Sequence, residues 1–173
     1  ESAADAAAAA DPVAAGAALP LRQPLRVILD THARVPSGAR VFGVPGEVVR
    51  LVGPEAALPA PAAAPASASS HRIERIAGDS AGRLSLSAVL AWLGGEGINE
   101  VWTEAGPTLA GALLAAGLVD ELVVYLAPRL LGPDARPLAH LPPLARLADA
   151  ASWRVQDVRP TGPDIRIMLR PET

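Results

Sequence analysis

The sequence predicts a three-layer α/β fold in which a mostly parallel sheet ends in an antiparallel hairpin. Residues 85–127 read as helix, strand, helix and strand, an order that favours parallel strands joined by right-handed crossovers. Residues 153–159 and 164–170 alternate apolar and polar side chains around a Pro-Thr-Gly-Pro turn, which predicts the hairpin. With 173 residues, the chain is long enough for one domain with a core of its own.

Three short β-branched runs predict strands in the first half of the chain. They are LRVILD (25–30), EVVRLV (47–52) and HRIERIA (71–77). Between the second and third lies a Pro/Ala/Ser tract, residues 53–70, which is too poor in large apolar side chains to order itself. We therefore expect a surface loop there. Residues 1–20 are alanine-rich without a positively charged start, so we expect a flexible segment rather than a signal peptide.

The second half of the chain contains two predicted helices and further strands. Leucine and valine recur at helical spacing from Leu86 to Leu93, so residues 85–93 are predicted to form an amphipathic helix that Gly94-Gly95 ends. The remaining predicted elements are a strand over 98–104, a helix over 107–116 closed by Gly117, and a strand over 121–127.

The composition excludes several kinds of chemistry. The chain has no cysteine, so it carries no thiol nucleophile and no Cys-ligated zinc. All 15 cationic side chains are arginine, which excludes a Schiff-base lysine and a P-loop. The three histidines lie far apart, and no metal site is predicted. The net charge of −3 comes without a basic face for nucleic acid, and no apolar run reaches the length of a membrane span.

The turn TEAGPT, residues 103–108, is the strongest candidate for a binding site. Ligands of open α/β sheets bind beyond the carboxyl ends of the strands, which is where Glu104 is expected. Pro107 suits the first position of a helix. The amides of Thr108, Leu109 and Ala110 are then expected to remain free at the positive end of the helix dipole, where they favour a phosphate. Ordinary strand-to-helix turn chemistry, with Thr108 as a cap, explains the same residues equally well.

A longer string narrows this choice. Residues 101–138, VWTEAGPTLAGALLAAGLVDELVVYLAPRLLGPDARPL, closely resemble the reductase domain of the bifunctional riboflavin-biosynthesis deaminase/reductase. The resemblance also includes RQPLRVILDTHARVP (22–36) and TGPDIRIML (161–169), and it covers most of residues 22–170. It implies a dihydrofolate-reductase-like fold. It also implies hydride transfer from NADPH to the ribose C1′ of 5-amino-6-(5-phosphoribosylamino)uracil, which gives the ribitylamino product.

The resemblance also implies roles for particular residues. Glu104 corresponds to the family's substrate-binding glutamate, and Thr31 to a small hydroxyl residue that contacts the cofactor. The NADPH phosphates are expected on the turn and helix start, which comprise Gly106, Pro107, Thr108, Leu109, Ala110, Gly111 and Ala112. Arg34 lies near enough to Thr31 in sequence to hold a 2′-phosphate, although an exposed loop arginine without such a role fits as well. No residue is identified as a catalytic acid.

The resemblance further predicts what the chain contains. Without cysteine, the zinc-dependent deaminase activity cannot reside in it. Residues 21–173 are expected to be the C-terminal part of the reductase domain, because the family's upstream segments are not found in the sequence. A sheet without those segments would expose apolar surface, so we expect poor solubility or association.

Alternative functions stay open at this stage. One is a related reductase that acts on a different pyrimidine or pteridine, and another is a non-catalytic nucleotide-binding or dimerisation module. For the leading hypothesis we expect a small phosphoribosylaminopyrimidine substrate, a homo-oligomer, commonly a homodimer, and a cytoplasmic location.

Overall fold

A computed structural model describes residues 23–58 and 71–172. The predicted flexible segment 1–20 and most of the predicted loop 53–70 lie outside the described residues. The chain divides into two compact units, one ending at Arg83 and one beginning at Leu84. Among the described residues, no helix has the length and apolar character needed to span a membrane.

The first unit contains a parallel sheet of three strands. They are β1 (Arg26–Leu29), β2 (Val48–Val52) and β3 (His71–Arg75), in the order β1-β2-β3. The central strand β2 is completely buried, which explains its run of valine and leucine. All three strands agree with the prediction from β-branched composition, and their parallel pairing brings their carboxyl ends to one edge of the sheet.

The second unit combines two helices with an antiparallel sheet. Its elements are α1 (Leu86–Gly95), α2 (Pro107–Ala115), β4 (Leu122–Leu126), β5 (Trp153–Thr161) and β6 (Asp164–Pro171). The sheet order is β4-β6-β5, so the predicted hairpin of β5 and β6 is confirmed, and β6 is its central strand. The mixed α/β class is therefore confirmed, with a parallel sheet in one unit and an antiparallel sheet in the other.

Two predictions about the strands of the second unit are wrong. Residues 98–104 form no strand, because no described strand is paired with them, and Val101 and Trp102 are exposed. The order helix-strand-helix-strand over 85–127 consequently does not create a parallel core. Instead β4 pairs antiparallel with β6, which follows it by about forty residues.

The helix boundaries follow from capping. The Ser85 side chain accepts a hydrogen bond from the amide of Ala88, and this begins α1. Gly94 and Gly95 lie within α1, contrary to their predicted role as its end. The helix ends because Gly97 adopts a φ of 76°, in the left-handed region that favours glycine. Gly117, with a φ of 65°, closes α2 as predicted.

Candidate functional site

The N-terminus of α2 has the geometry that the turn sequence predicts. Gly106 is the N-cap in an extended conformation, Pro107 is the first helical residue, and no side chain caps the helix. The first hydrogen bond of α2 runs from the Ala110 amide to the Gly106 carbonyl, at 3.1 Å. The prediction that the Ala110 amide is free is therefore wrong. The amides of Thr108 and Leu109 come before this first donor of the helix, so they have no acceptor within α2. A Cβ atom added at Gly106 would meet no atom within 4 Å, so there is room for an anion at this position.

Gly111, about one turn further along α2, packs against another segment of the same unit. A Cβ atom at this position would overlap the backbone carbonyl of His140. The His140 amide donates a 2.9 Å hydrogen bond to the Pro107 carbonyl, and its Nδ1 lies 3.3 Å from the Thr108 hydroxyl. The space that the missing side chain of Gly111 leaves is therefore filled by the segment around His140. A role for Gly111 in cofactor binding stays a prediction, as it does for Ala110 and Ala112.

Glu104 lies two residues before Gly106 in the irregular segment that replaces the expected strand. Its carboxylate is exposed and accepts a 3.0 Å hydrogen bond from the Nε1–H of Trp102, whose own side chain is 65% exposed. The indole therefore orients the carboxylate while leaving its second oxygen available to a ligand. Glu104 and Gly106 belong to the same unit and lie close along the chain, so the structure keeps these predicted residues together.

A groove of about 660 Å³ lies in the same unit, bounded by α1, residues 98–103, α2 and the start of β4. Its walls are mainly apolar, with Leu90, Leu93, Trp102, Leu113, Leu114 and Leu118 among the lining residues. Of the predicted site residues, Ala110 lines this groove, whereas Glu104 and Gly106 do not. The groove nevertheless borders the turn that precedes α2, because Thr103 of that turn and Trp102, the hydrogen-bond partner of Glu104, also line it.

The first unit holds the other predicted contact, Thr31, in the turn that follows β1. The turn is organised by Asp30, whose carboxylate accepts hydrogen bonds from the amides of Arg34 and Val35 at 2.8 and 2.9 Å. Arg50, on the neighbouring strand β2, donates to the same carboxylate through Nε at 2.7 Å, and its Nη2 lies 2.6 Å away. Arg34 itself is exposed.

Asp30 and Arg50 form a buried ion pair, with side chains 7% and 1% exposed. Burial opposes ionisation of Asp30, but the amides of Val35 and Arg34 and the Arg50 guanidinium outweigh it and hold the pKa of the Asp30 carboxyl below its usual value. The pair is therefore charged at neutral pH.

Among the described residues, no group of three or more histidine, aspartate or glutamate side chains is arranged to hold a metal ion.

The turn after β2 lies beside the turn after β1. The Gly53 amide donates a 2.9 Å hydrogen bond to the Thr31 carbonyl, and a Cβ atom on Gly53 would lie 2.9 Å from that same oxygen. Arg75, at the end of β3, donates to the carbonyls of Gly53 and Ala56, each at 3.0 Å. All three parallel strands thus contribute residues to one hydrogen-bonded edge, where Thr31 lies.

Sequence reasoning did not identify Asp30, Arg50, Arg75 or His140 as parts of these regions. One signal was available for Arg50, which is the single charged residue in the apolar run VVRLV. A charge on a completely buried strand needs a buried partner. The position of that partner on β1 follows from strand pairing, which the sequence pattern does not contain.

Comparison with known proteins assigns the chain to a family. The sequence model of the RibD C-terminal domain family matches residues 2–167. The riboflavin biosynthesis protein RibD of Escherichia coli K12 is 44% identical over 149 residues, which cover 86% of this chain and 38% of that protein. The 5-amino-6-(5-phosphoribosylamino)uracil reductase of Buchnera aphidicola from Acyrthosiphon pisum is 31% identical over 153 residues, which cover 87% of this chain and 69% of that protein.

Solved structures give the same result. Acinetobacter baumannii RibD, form 1, superimposes with a TM-score of 0.68 at 29% identity, over 87% of this chain and 38% of that one. The chain thus spans 38% of the length of these RibD proteins. This similarity confirms the expected α/β fold of the dihydrofolate-reductase type. The chain belongs to the RibD C-terminal domain family.

Proposed function

We propose that the chain catalyses the NADPH-dependent reduction of 5-amino-6-(5-phosphoribosylamino)uracil to its ribitylamino product in riboflavin biosynthesis. The observation that carries this proposal is the match to the Buchnera protein named as that reductase, which extends over 87% of this chain and 69% of the relative. NADPH supplies the hydride when bound, and the polypeptide contributes binding, orientation and charge.

In the second unit, we propose that the start of α2 binds a phosphate of the cofactor. The free amides of Thr108 and Leu109, the absent side chain at Gly106 and the positive end of the helix dipole all fit such a group. Pro107 fixes the first turn without needing an acceptor. Gly111 acts indirectly in this proposal, because it lets the backbone of His140 approach and hold the helix start.

For the substrate, we propose that the free oxygen of Glu104 accepts a hydrogen bond from an N–H or O–H group of the phosphoribosylaminopyrimidine. An exposed carboxylate that a neighbouring indole already orients loses little freedom on binding.

In the first unit, we propose Thr31 as a cofactor contact, with Arg34 beside it as a ligand of the 2′-phosphate. Arg34 suits this role because its guanidinium is exposed, and arginine binds phosphate in a bidentate manner.

A spectroscopic assay of NADPH oxidation with the named pyrimidine tests the proposal. We expect turnover by the native protein, and a KM for NADPH raised about 10- to 100-fold by Gly106→Asp, because a second negative charge would occupy the phosphate position. Aspartate is itself a good N-cap, so this variant is expected to keep α2 folded. Glu104→Gln is expected to raise the KM for the pyrimidine and to leave that for NADPH unchanged.

Gly94→Asp is the matched control for this assay, because it adds the same charge to another helix at a position with nothing within 4 Å. Its kinetic constants are expected to equal those of the native protein. Binding of NADPH without turnover of the pyrimidine would contradict the proposed substrate and favour a nucleotide-binding module or a different pyrimidine. Failure to bind NADPH at all would contradict the proposed cofactor.

We further propose that the protein is a cytoplasmic homodimer that associates through its antiparallel sheet. Leu126, Val155, Val158 and Ile165 share one face of that sheet, where strand pairing places them together, and all four are exposed. An apolar face of this kind is typical of an interface between protein chains. Light scattering at micromolar concentration is expected to give twice the chain mass, and Val158→Asp to reduce it. A single-chain mass for the native protein would contradict the proposal.

A further inference from the structure

The buried charges of Asp30 and Arg50 need an explanation beyond stability. Removing two charges from water is costly, and a well-packed apolar pair of similar volume is often at least as stable as a buried ion pair. The core around β2 is otherwise apolar, with Val48, Val49, Leu51 and Val52 completely buried. A fifth apolar residue at position 50 would therefore suit the sheet itself.

The hydrogen bonds of the pair show which part of the chain it controls. Both oxygens of Asp30 accept backbone amides from the turn that follows β1, and Arg50 Nη2 donates to the carbonyl of Val35 at 2.9 Å. The carboxylate and the guanidinium thus hold the same turn from two sides. An apolar pair would fill the space but would leave these amides and this carbonyl without their partners.

The turn held in this way has an unusual backbone. Ala33 has a φ of 55°, in the left-handed region that residues other than glycine rarely adopt. Such a conformation persists where surrounding contacts enforce it. Here the hydrogen bonds from Arg34 and Val35 to Asp30 follow directly after Ala33, and the Ala33 amide donates to the Asp30 carbonyl at 2.9 Å.

We propose that the Asp30–Arg50 ion pair is a positioning device that holds the turn of residues 31–35 in the shape that receives the dinucleotide. The proposal rests on the proposed function, because Thr31 and Arg34 are cofactor contacts within it. Neither Asp30 nor Arg50 touches the cofactor in this account. They act by fixing the backbone from which the Thr31 hydroxyl and the Arg34 guanidinium project.

The first test compares the dissociation constant for NADPH with the melting temperature in the native protein and in Asp30→Asn. We expect the variant to bind NADPH about tenfold more weakly or worse, because its amide cannot hold both backbone amides and Arg50 together. Asp79→Asn is a matched control. Asp79 accepts from the amides of Ala81 and Arg83 and from Arg83 Nε, so it holds a turn in the same way at another place in the unit. Its affinity for NADPH is expected to equal that of the native protein.

A double variant, Asp30→Leu with Arg50→Met, separates positioning from stability. It contains no unpaired buried charge, so its melting temperature is expected to recover relative to either single change. Its affinity for NADPH is expected to stay weak, because the hydrogen bonds to the turn are gone. Recovery of affinity together with stability would overturn the proposal and leave the pair a purely structural role.

Two further outcomes have distinct meanings. Native affinity in Asp30→Asn would overturn the positioning role while leaving the proposed cofactor intact. A native protein that does not bind NADPH would overturn the proposed cofactor itself, and the positioning role with it. The same titrations therefore distinguish failure of the inference from failure of the function on which it rests.

Discussion

Replacing Arg50 by methionine is expected to lower the free energy of unfolding by about 3 kcal/mol or more, a large effect for a single substitution. The change removes the guanidinium but leaves the Asp30 carboxylate buried at 7% exposure. The amides of Arg34 and Val35 still bind that carboxylate, which places the expected loss at the lower end of the usual range. Methionine fills much of the volume, so the loss reflects charge rather than a cavity.

Denaturation by urea, followed by circular dichroism, measures this loss. Arg159→Met is the control, because Arg159 also binds an aspartate closely, with its Nε 2.6 Å from Asp157, but its side chain is 60% exposed. Exposed pairs contribute little to stability because water screens them, so the control is expected to lose much less than Arg50→Met. Equal losses in the two variants would contradict the view that burial makes the Asp30–Arg50 pair sensitive.

Gly111→Ala is expected to destabilise the protein by about 1–3 kcal/mol, although alanine is normally the better helix residue. The new methyl group would overlap the backbone carbonyl of His140, and a backbone group cannot rotate away as a side chain can. Either α2 or the segment around His140 must move. Movement of that segment would stretch the 2.9 Å hydrogen bond from His140 to the Pro107 carbonyl.

The control for this prediction is the same substitution in the other helix. Gly94 lies in α1, and a methyl group added there would meet nothing within 4 Å, so Gly94→Ala is expected to stabilise the protein by about 0.5–1 kcal/mol. Thermal unfolding of the two variants should therefore shift in opposite directions. A rise in melting temperature for both would show that the segment around His140 is not held against α2.

The secondary structure was largely predictable because most of it follows from local patterns. The strands β1 to β3 are short β-branched runs, and β5 and β6 alternate around a glycine turn. The failure at 98–104 shows where local reasoning ends. INEVWTE has the composition of a strand, but a strand also needs a neighbouring backbone, and β4 pairs instead with β6. That choice depends on contacts about forty residues apart, which periodicity does not reveal.

The site was predictable to the same degree. Gly106 and Pro107 were placed correctly at the start of α2, because capping preferences belong to a few consecutive residues. The partner of Arg50 was not, because Asp30 and Arg50 are 20 residues apart and meet only through the pairing of β1 with β2. The contact of Gly111 with His140 was missed for the same reason.

The contact between α2 and the segment around His140 also bears on which positions can change during evolution. On one side it requires the absence of a side chain at residue 111, and on the other it uses main-chain atoms that every amino acid except proline possesses. The two positions therefore differ in the substitutions that they tolerate. Residue 140 can be replaced by many other types without loss of the main-chain hydrogen bond, whereas position 111 accepts glycine alone unless the two segments separate. Divergent sequences that keep this arrangement should vary widely at residue 140 and hardly at all at residue 111.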